Sequence, residues 1–539
     1  MVKLPGGVPS SHIDTFARDR LPSKELLPDF DFSGTPELSD YSDHINIATE
    51  LLDNMVKNGF GSNSVVHLSD VSWTYAELMD RSNRIAEVLV EDCGIIPGNR
   101  VLLRAPNTPM LLAAWFGVLK VGGICVTTMP LLRARELQTS IDRAEVSIVL
   151  CDKGLAEEME GAMQLTDKVK HALYFSQLGD GGEEATLEQL CKNKTGVFEN
   201  VETAADDVAL IAFTSGTTGL PKGAMHFHRD VMATADTCGR YIAKLEPDDI
   251  VTGTPPMAFT FGLGGLAIFP MRFGASIRFL ESPLPEKILE AIEKYKITQI
   301  YTAPTAYRAM IDILGDYDIS SLRQGVSAGE TLPKATWEAF YEATNIRLID
   351  GLGSTEMFHI FISTPPADMR AGFTGKAIPG YRGRVVNEKG EELPPGTPGQ
   401  LAVQGPTGCK YLDDSDRQEI YVRDGWNFPG DIYEMNLDGY FKYVARADDM
   451  IISSGYNISG PEVESVLLEH EVVAECAVIA SPDPGRGNIV KAYVVAKKHI
   501  SCDEALIKKL QDFVKGEIAP YKYPRSIVFV DELPKTQTG

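Results

Sequence analysis

The sequence predicts an α/β protein, and three observations carry that prediction. Strand-like and helix-like segments alternate through the first large part of the chain. Past roughly Pro379, and through about Ala445, short strands punctuated by Gly, Pro and Asp take over. From Pro461 the chain reads as helix, strand, hairpin, strand, helix and strand, a compact α+β unit of small-domain size. At 539 residues the chain exceeds one ordinary core, so at least two domains are expected.

Each element has a local reason. Thr74 with Glu77 has the form of a capping box and opens a helix that runs through about Val90. Residues 100–104 (RVLLR) form a short buried strand. Asn107 or Thr108, just ahead of Pro109, starts the next helix, with Leu111, Leu112, Trp115 and Leu119 on an apolar face. Residues 123–127 and 147–151 return as strands, and the same rhythm recurs at 298–301 and 346–349. Strand, helix and strand at this spacing make βαβ units and a mostly parallel sheet. The β-rich part, about 380–446, suits hairpins or a small barrel. In the last unit, Ser501 with Glu504 is expected to cap the penultimate helix.

Composition narrows the class. Hydrophobic residues at 44% and charged residues at 23% are the balance of a soluble globular protein. A formal charge of −24 argues against a general nucleic-acid or anionic-membrane binder, although a local basic or dipolar site can still hold a small anion. The eight cysteines include no C-x-x-C pair, so neither a zinc site nor a redox motif is indicated, and reduced thiols are expected. The N-terminus lacks an apolar core of signal-peptide length, and no stretch reaches the roughly 18 apolar residues of a bilayer span. A cytoplasmic location is the expectation, without nucleic-acid or membrane partners; a homodimer is one assembly open to such a chain.

The chemistry enters at residues 208–213 (VALIAF), a buried-strand pattern that runs into TSGTTGLPKG at 214–223. Three of the glycines let backbone approach a ligand closely, the hydroxyls and N–H groups can cradle phosphate oxygens, and Lys222 adds a mobile positive charge. The Walker A pattern ends in G-K-[ST], whereas Lys222 stands between Pro221 and Gly223, so this is a different phosphate loop. An ordinary Gly/Ser/Thr string would be read as a polar turn. This one resembles the signature of the adenylate-forming superfamily, which includes acyl-CoA synthetases, luciferases and the adenylation domains of peptide synthetases. GLGSTE at 351–356, WNFPGD at 426–431, RADD at 446–449 with Gly455 and PEVE at 461–464, and PKTQTG at 534–539 resemble further motifs of that family. They stand in the family's order and span nearly the whole chain.

The resemblance implies an adenylate-forming domain over 1–446, a hinge at 447–449 and a small mobile C-terminal domain over 450–539. A carboxylate is a poor acyl donor because its leaving group would be oxide. Conversion to a mixed anhydride with AMP solves this, provided that cations and donors offset the charge at the α-phosphate. By resemblance, Thr214, Ser215, Gly216, Thr217, Thr218 and Lys222 hold the β- and γ-phosphates of ATP. Thr355 bonds the α-phosphate, and Glu356 ligates Mg²⁺, an ion that prefers oxygen donors. Gly329, Glu330, Asp350 and Gly351 lie in the adenine-binding stretches, and Asp431 accepts the ribose hydroxyls with help from Arg446. In the second half-reaction the thiol of coenzyme A displaces AMP. Asp448 marks the hinge, and Gly455 stands where pantetheine would pass, although a simple turn glycine is the other reading. One departure stands out. The catalytic lysine of the family would follow Gly539, where the sequence ends, and Lys535 holds a different place in the motif. The expectation is that the 539-residue form adenylates poorly yet still passes preformed acyl-AMP to coenzyme A.

The acid is read from PMAFTFGLGG at 256–265 and the residues after Glu356. Many relatives place histidine where Phe259 stands, and benzoate-type ligases place an aromatic there. Phe259, Phe261 and Phe358 are read as a flat apolar slot, with Ala328 and Gly351 leaving room and His359 bonding a ring substituent. Core packing competes for the phenylalanines, and a structural role for the histidine. HIDTFARD at 12–19 and MHFHRD at 225–230 resemble 2-aminobenzoate-type CoA ligases, which points to anthranilate, salicylate or benzoate. Short or medium aliphatic or 2-hydroxy acids, a carrier-protein acceptor, and a nucleotide-binding relative without catalysis are the rival readings.

Overall fold

The computed structural model describes residues 8–182, 185–214, 221–446, 450–453, 456–483, 487–518 and 520–534. Ser215, Gly216, Thr217 and Thr218 of the phosphate loop, the hinge with Asp448, Gly455, and Lys535 through Gly539 lie outside the described residues.

The α/β class holds, with two large sheets where the sequence pattern indicated only repeated βαβ units. The first sheet orders its strands His171–Phe175, Ile148–Asp152, Arg100–Arg104, Ile124–Thr128, Val208–Thr214 and Lys222–Phe227. All its pairs are parallel except the last, a hairpin that sets Thr214 opposite Lys222. The second sheet has nine strands. Its parallel centre runs Ile349–Gly353, Gln324–Ser327, Gln299–Thr302, Ile250–Gly253, Ser276–Arg278 and Ser64–Leu68, and antiparallel strands flank both ends. The strand expected at 346–349 starts at Ile349 and continues to Gly353, because Ile346 and Arg347 still belong to the connection from the preceding helix.

The capping box is present: the Thr74 hydroxyl accepts from the Glu77 N–H at 3.2 Å and the Glu77 carboxylate accepts from the Thr74 N–H at 2.7 Å, opening the helix Tyr75–Glu91. Thr108, not Asn107, caps the helix Pro109–Lys120 by accepting from the Leu111 N–H. That helix is buried on every side instead of along one face, because it touches strands of both sheets and the helix Tyr75–Glu91. Even its terminal Lys120 is buried, and it donates to the Asp53 carboxylate at 2.6 Å.

The β-rich part is an antiparallel six-stranded sheet built from strands between Arg382 and Arg446. Beyond it, Val473–Asp483 and Gly487–Ala496 form a long hairpin, joined in parallel by Ser526–Phe529 and covered by the helices Gly460–Glu469 and Glu504–Glu517. The cap of the last helix is Asp503, whose Oδ1 accepts from the Leu506 N–H at 2.9 Å, and not Ser501. Asp503 wins because it immediately precedes the first turn, where its side chain reaches an orphan N–H. The Arg308 guanidinium donates to the Val473 carbonyl at 3.2 Å, one contact between this unit and the second sheet's helices. All eight cysteines are free, and among the described residues no helix is long and apolar enough to cross a membrane.

Candidate active site

Parallel strands leave their carboxyl ends and following loops at one edge of a sheet, which is where open α/β folds bind ligands. Here that edge opens into a cavity of about 790 Å³. Four successive strands of the second sheet supply its floor: Thr254 and Pro255 follow the first, Thr302 and Ala303 the next, Ala328 with Gly329 and Glu330 the third, and Ser354 with Thr355 the fourth. The first sheet closes the far wall. From the segment after Arg100–Arg104, Asn107 donates to the Pro255 carbonyl at 2.9 Å and accepts from the Met257 N–H at 2.7 Å. From Ile124–Thr128, the Thr127 hydroxyl donates to the Ala258 carbonyl at 2.9 Å. Sequence reasoning had Asn107 only as a candidate helix cap. Its role here depends on a partner about 150 residues away, which no local pattern reveals.

The turn after Ile349–Gly353 is tightly made. Phe358 has φ +73°, a left-handed conformation that costs a bulky residue and persists only where surrounding contacts impose it. Its N–H bonds the Thr355 carbonyl at 3.1 Å, and the Ser354 hydroxyl accepts from the Met357 N–H while pairing with the Tyr421 hydroxyl at 2.9 Å. Glu356 is buried, and its Oε1 accepts from the Tyr411 hydroxyl at 2.6 Å. Burial first, then the Glu356 carboxylate, drives the Tyr411 phenol far above its ordinary pKa, so it stays a donor. The segment carrying Tyr411 is zipped to the strand Lys222–Phe227: the Leu412 N–H bonds the Gly223 carbonyl at 2.8 Å, and the Met225 N–H the Lys410 carbonyl at 2.8 Å. The Lys222 ammonium consequently stands 5.9 Å from the Tyr411 ring centre. Lys222, Tyr411 and Glu356 form one chain of contacts, and neither Tyr411 nor Tyr421 had a sequence signal, since each sits in an unremarkable stretch.

The cavity wall unites Thr355, Gly329, Glu330, Phe259, Phe261, Ala328, Phe358 and His359. Two expectations need correction. Gly351 does not leave space for a ligand: a side chain there would meet Ile360 Cδ1 at 2.4 Å, so Ile360 has taken the room. Phe358 is fully buried with its ring edge-on to His226 at 5.2 Å, a packed position at the cavity wall and not one face of an open slot. Phe259 and Phe261 are half-buried, as a ligand-contacting surface requires.

Asp350, Asp431 and Arg446 are not among the residues that line the cavity. Desolvation pushes the Asp350 carboxyl up to about 8, against the opposing pull of the Gly351 N–H and the Thr374 hydroxyl. Asp431 faces Arg446 across adjacent strands, Oδ1 to Nη1 at 3.3 Å, and the same Nη1 donates to the Pro429 carbonyl. Gly430 suits this turn: φ is +85°, which favours glycine, and a Cβ would stand 3.1 Å from the Arg446 guanidinium. Burial, then Glu356, with a smaller contribution from Asp431, raises the Tyr421 phenol, so it stays a donor. His359 is buried, which holds its imidazole down at about 3, and its Nε2 lies 3.3 Å from the Phe261 carbonyl while Nδ1 has no partner among the described residues.

With this geometry in place, comparison with known proteins is decisive. The family model described as AMP-binding enzyme matches residues 56–410, and its C-terminal domain model matches residues 462–539. The chain belongs to the AMP-binding enzyme family. Its class within that family is the AMP-forming acid–CoA ligases. It is similar to benzoate–CoA ligase of Thauera aromatica, at 32% identity over 94% of this chain and 97% of that protein. It is likewise similar to the human mitochondrial acyl-coenzyme A synthetase ACSM3, at 32% identity over 87% and 82%. Among solved structures, the anthranilate CoA ligase AuaEII in complex with anthranoyl-AMP superposes with a TM-score of 0.88 at 31% identity, over 93% of this chain and 96% of that one. A benzoate CoA ligase from Burkholderia xenovorans LB400 superposes with a TM-score of 0.83 at 30% identity, over 92% and 98%.

Proposed function

We propose that this ligase activates an aryl acid of the benzoate, 2-aminobenzoate or salicylate type. The observation that carries the reading is the buried end of the cavity, where Phe259, Phe261, Ala328 and a neutral His359 meet. A planar apolar acid fits between half-buried aromatic rings, and its carboxylate then points toward Thr355. With the His359 Nε2–H donating to the Phe261 carbonyl, Nδ1 is an acceptor, so it suits a ring substituent that donates, an amino or hydroxyl group. Similarity to the benzoate and anthranilate ligases supports the same reading.

Adenylation would proceed beside Thr355, which lines the cavity and whose hydroxyl would bond the α-phosphate. Glu356 would ligate Mg²⁺. Its single carboxylate, with one oxygen held by Tyr411, fits an ion that takes one or two protein oxygens and completes its shell with phosphates and water. Lys222 would offset phosphate charge, and Asp431 with Arg446 would take the ribose. Asp350 and Gly351 would contact the adenine as backbone and edge, not as cavity wall. Residues 447–449 would serve as the hinge between the domains, with coenzyme A entering past Gly455.

The test is a screen of acids with ATP and coenzyme A, in this 539-residue chain and in one extended by lysine after Gly539. Aryl acids should give the highest kcat/KM, and 2-aminobenzoate should lose its advantage over benzoate in His359→Ala. Preference for butyrate-like acids would remove the aryl assignment. Absence of pyrophosphate–ATP exchange with every acid in both chains would remove adenylation itself.

A further inference from the structure

Arg104 closes the strand Arg100–Arg104 at the same sheet edge, and its guanidinium is fully buried. Burial of a guanidinium costs several kcal/mol unless partners compensate, and the usual partner is a carboxylate. Among the described residues no carboxylate pairs with Arg104. Its two terminal nitrogens donate to three carbonyls of one turn, Nη1 to Met129 at 2.8 Å and Nη2 to Pro130 and Leu132, each at 2.9 Å, while Nε has no partner among the described residues.

That turn is closed by the Leu132 N–H bonding the Met129 carbonyl at 3.2 Å, with Pro130 at its second position. Met129, Pro130 and Leu131 line the cavity. Leu131 stands at the apex and is 61% exposed, an unusual place for a large apolar side chain. The cavity therefore has two ends. His359 and Phe358 close the inner one, and Leu131, Glu281 and Pro283 rim the outer one. A cavity of about 790 Å³ lies in the upper part of the range that encloses drug-sized ligands, so an acid of benzoate size at the inner end, with AMP beside Thr355, leaves the rim at Leu131 open. Once the acid is adenylated, a second reactant has to approach along the part that neither the acyl group nor AMP occupies.

We propose that Arg104 is a positioning residue for the thiol half-reaction: its guanidinium fixes the Met129–Leu132 turn, and thereby the Leu131 lip past which the thiol arm reaches the acyl-adenylate. This rests on the cavity being the acid site. In that half-reaction the sulfur–carbonyl bond forms, the carbonyl–oxygen bond to AMP breaks, AMP leaves with the electron pair, and the thiol proton passes to solvent. An apolar lip suits an uncharged pantetheine-like arm, and a lip held in place lowers the entropy lost when that arm is threaded. The arginine reaches the three carbonyls from two nitrogens of a planar fork, a spread that the single nitrogen of lysine does not match.

Arg104→Lys and Arg104→Met in the full chain test this through two readings. The first is hydrogen exchange at the Leu131 and Leu132 amides. The second is transfer from supplied benzoyl-AMP to coenzyme A in single turnovers. The expected result is faster exchange confined to the turn, and a rise of about fivefold or more in half-saturating coenzyme A, with benzoyl-AMP affinity within about twofold of the parent. Should neither variant fold, Pro130→Gly loosens the same turn from its exposed side and is expected to raise half-saturating coenzyme A likewise. Unchanged coenzyme A dependence in folded variants, or equal loss of benzoyl-AMP binding and transfer, overturns the proposal while the site reading stands. No transfer in the parent from benzoyl-AMP or from aliphatic acyl-AMPs overturns the reading of the site, and the proposal with it.

Discussion

At the scale of single residues, the site is decided by which carboxylates are held and by what. Glu356 was legible because it sits in a recognisable string, whereas Tyr411, which holds it, was not. A hydrogen bond between a buried carboxylate and a phenol is worth about 1.5–3 kcal/mol. Tyr411→Phe is accordingly expected to slow pyrophosphate–ATP exchange about tenfold or more, with a smaller effect on transfer from supplied acyl-AMP. Equal effects on the two half-reactions would show that Tyr411 only stabilises the fold. His359 and Phe358 illustrate the opposite limit. Adjacent in sequence, they were read together as ligand contacts, yet only His359 keeps a ring atom without a partner. The left-handed backbone at Phe358 turns the two side chains apart, and no residue-type rule foretells φ > 0 at phenylalanine.

At the scale of elements, caps and clasps show how local rules succeed until a neighbour competes. Thr74 with Glu77 formed as patterned, but Asp503 displaced Ser501 as the cap of the last helix because it lies next to the first turn. Asp503→Ala should cost about 1 kcal/mol of stability and Ser501→Ala close to nothing, read as shifts in the denaturation midpoint of the C-terminal unit. The helix Ala134–Ala144 has a less visible duty. Arg143 in its last turn donates to the carbonyls of Pro221 and Leu412, the latter at 3.3 Å, and so ties the Lys222 strand to the Tyr411 segment. Arg143→Ala is expected to raise KM for ATP by about tenfold, the loss of charged hydrogen bonds, while KM for the acid changes far less. A matched rise in both would remove Arg143 from the nucleotide side.

At the scale of the whole molecule, buried titratable groups set a pH optimum of stability. His226, His228 and His359 are held neutral by burial, each down at about 3, so between roughly pH 3 and 6.5 the unfolded chain binds more protons and stability falls as pH is lowered. Asp350 has the opposite sign. Raised by burial to about 8, it retains its proton in the fold while the unfolded carboxyl ionises near 3.9, so stability falls as pH rises from about 4 to 8. Among these four groups, the three histidines outweigh Asp350 below about pH 6.5, and above it Asp350 alone still changes its charge. Denaturant titrations should therefore peak near pH 6.5, and Asp350→Asn should flatten the alkaline side. A profile of Asp350→Asn parallel to the parent's would refute the buried, protonated carboxyl. By itself, the sequence determined the α/β class, the strands it named in the first large part to within a few residues, and the family, because strand periodicity and glycine–hydroxyl strings are local and chemically constrained. Only the tertiary structure decided that two sheets share one cavity, that Ile360 fills the room beside Gly351, and that Asn107, Tyr411, Arg143 and Arg104 serve the site. Those four act on groups brought close by folding across 25 to 269 residues of chain, and hydrogen bonds across such separations leave no spacing in the sequence to read.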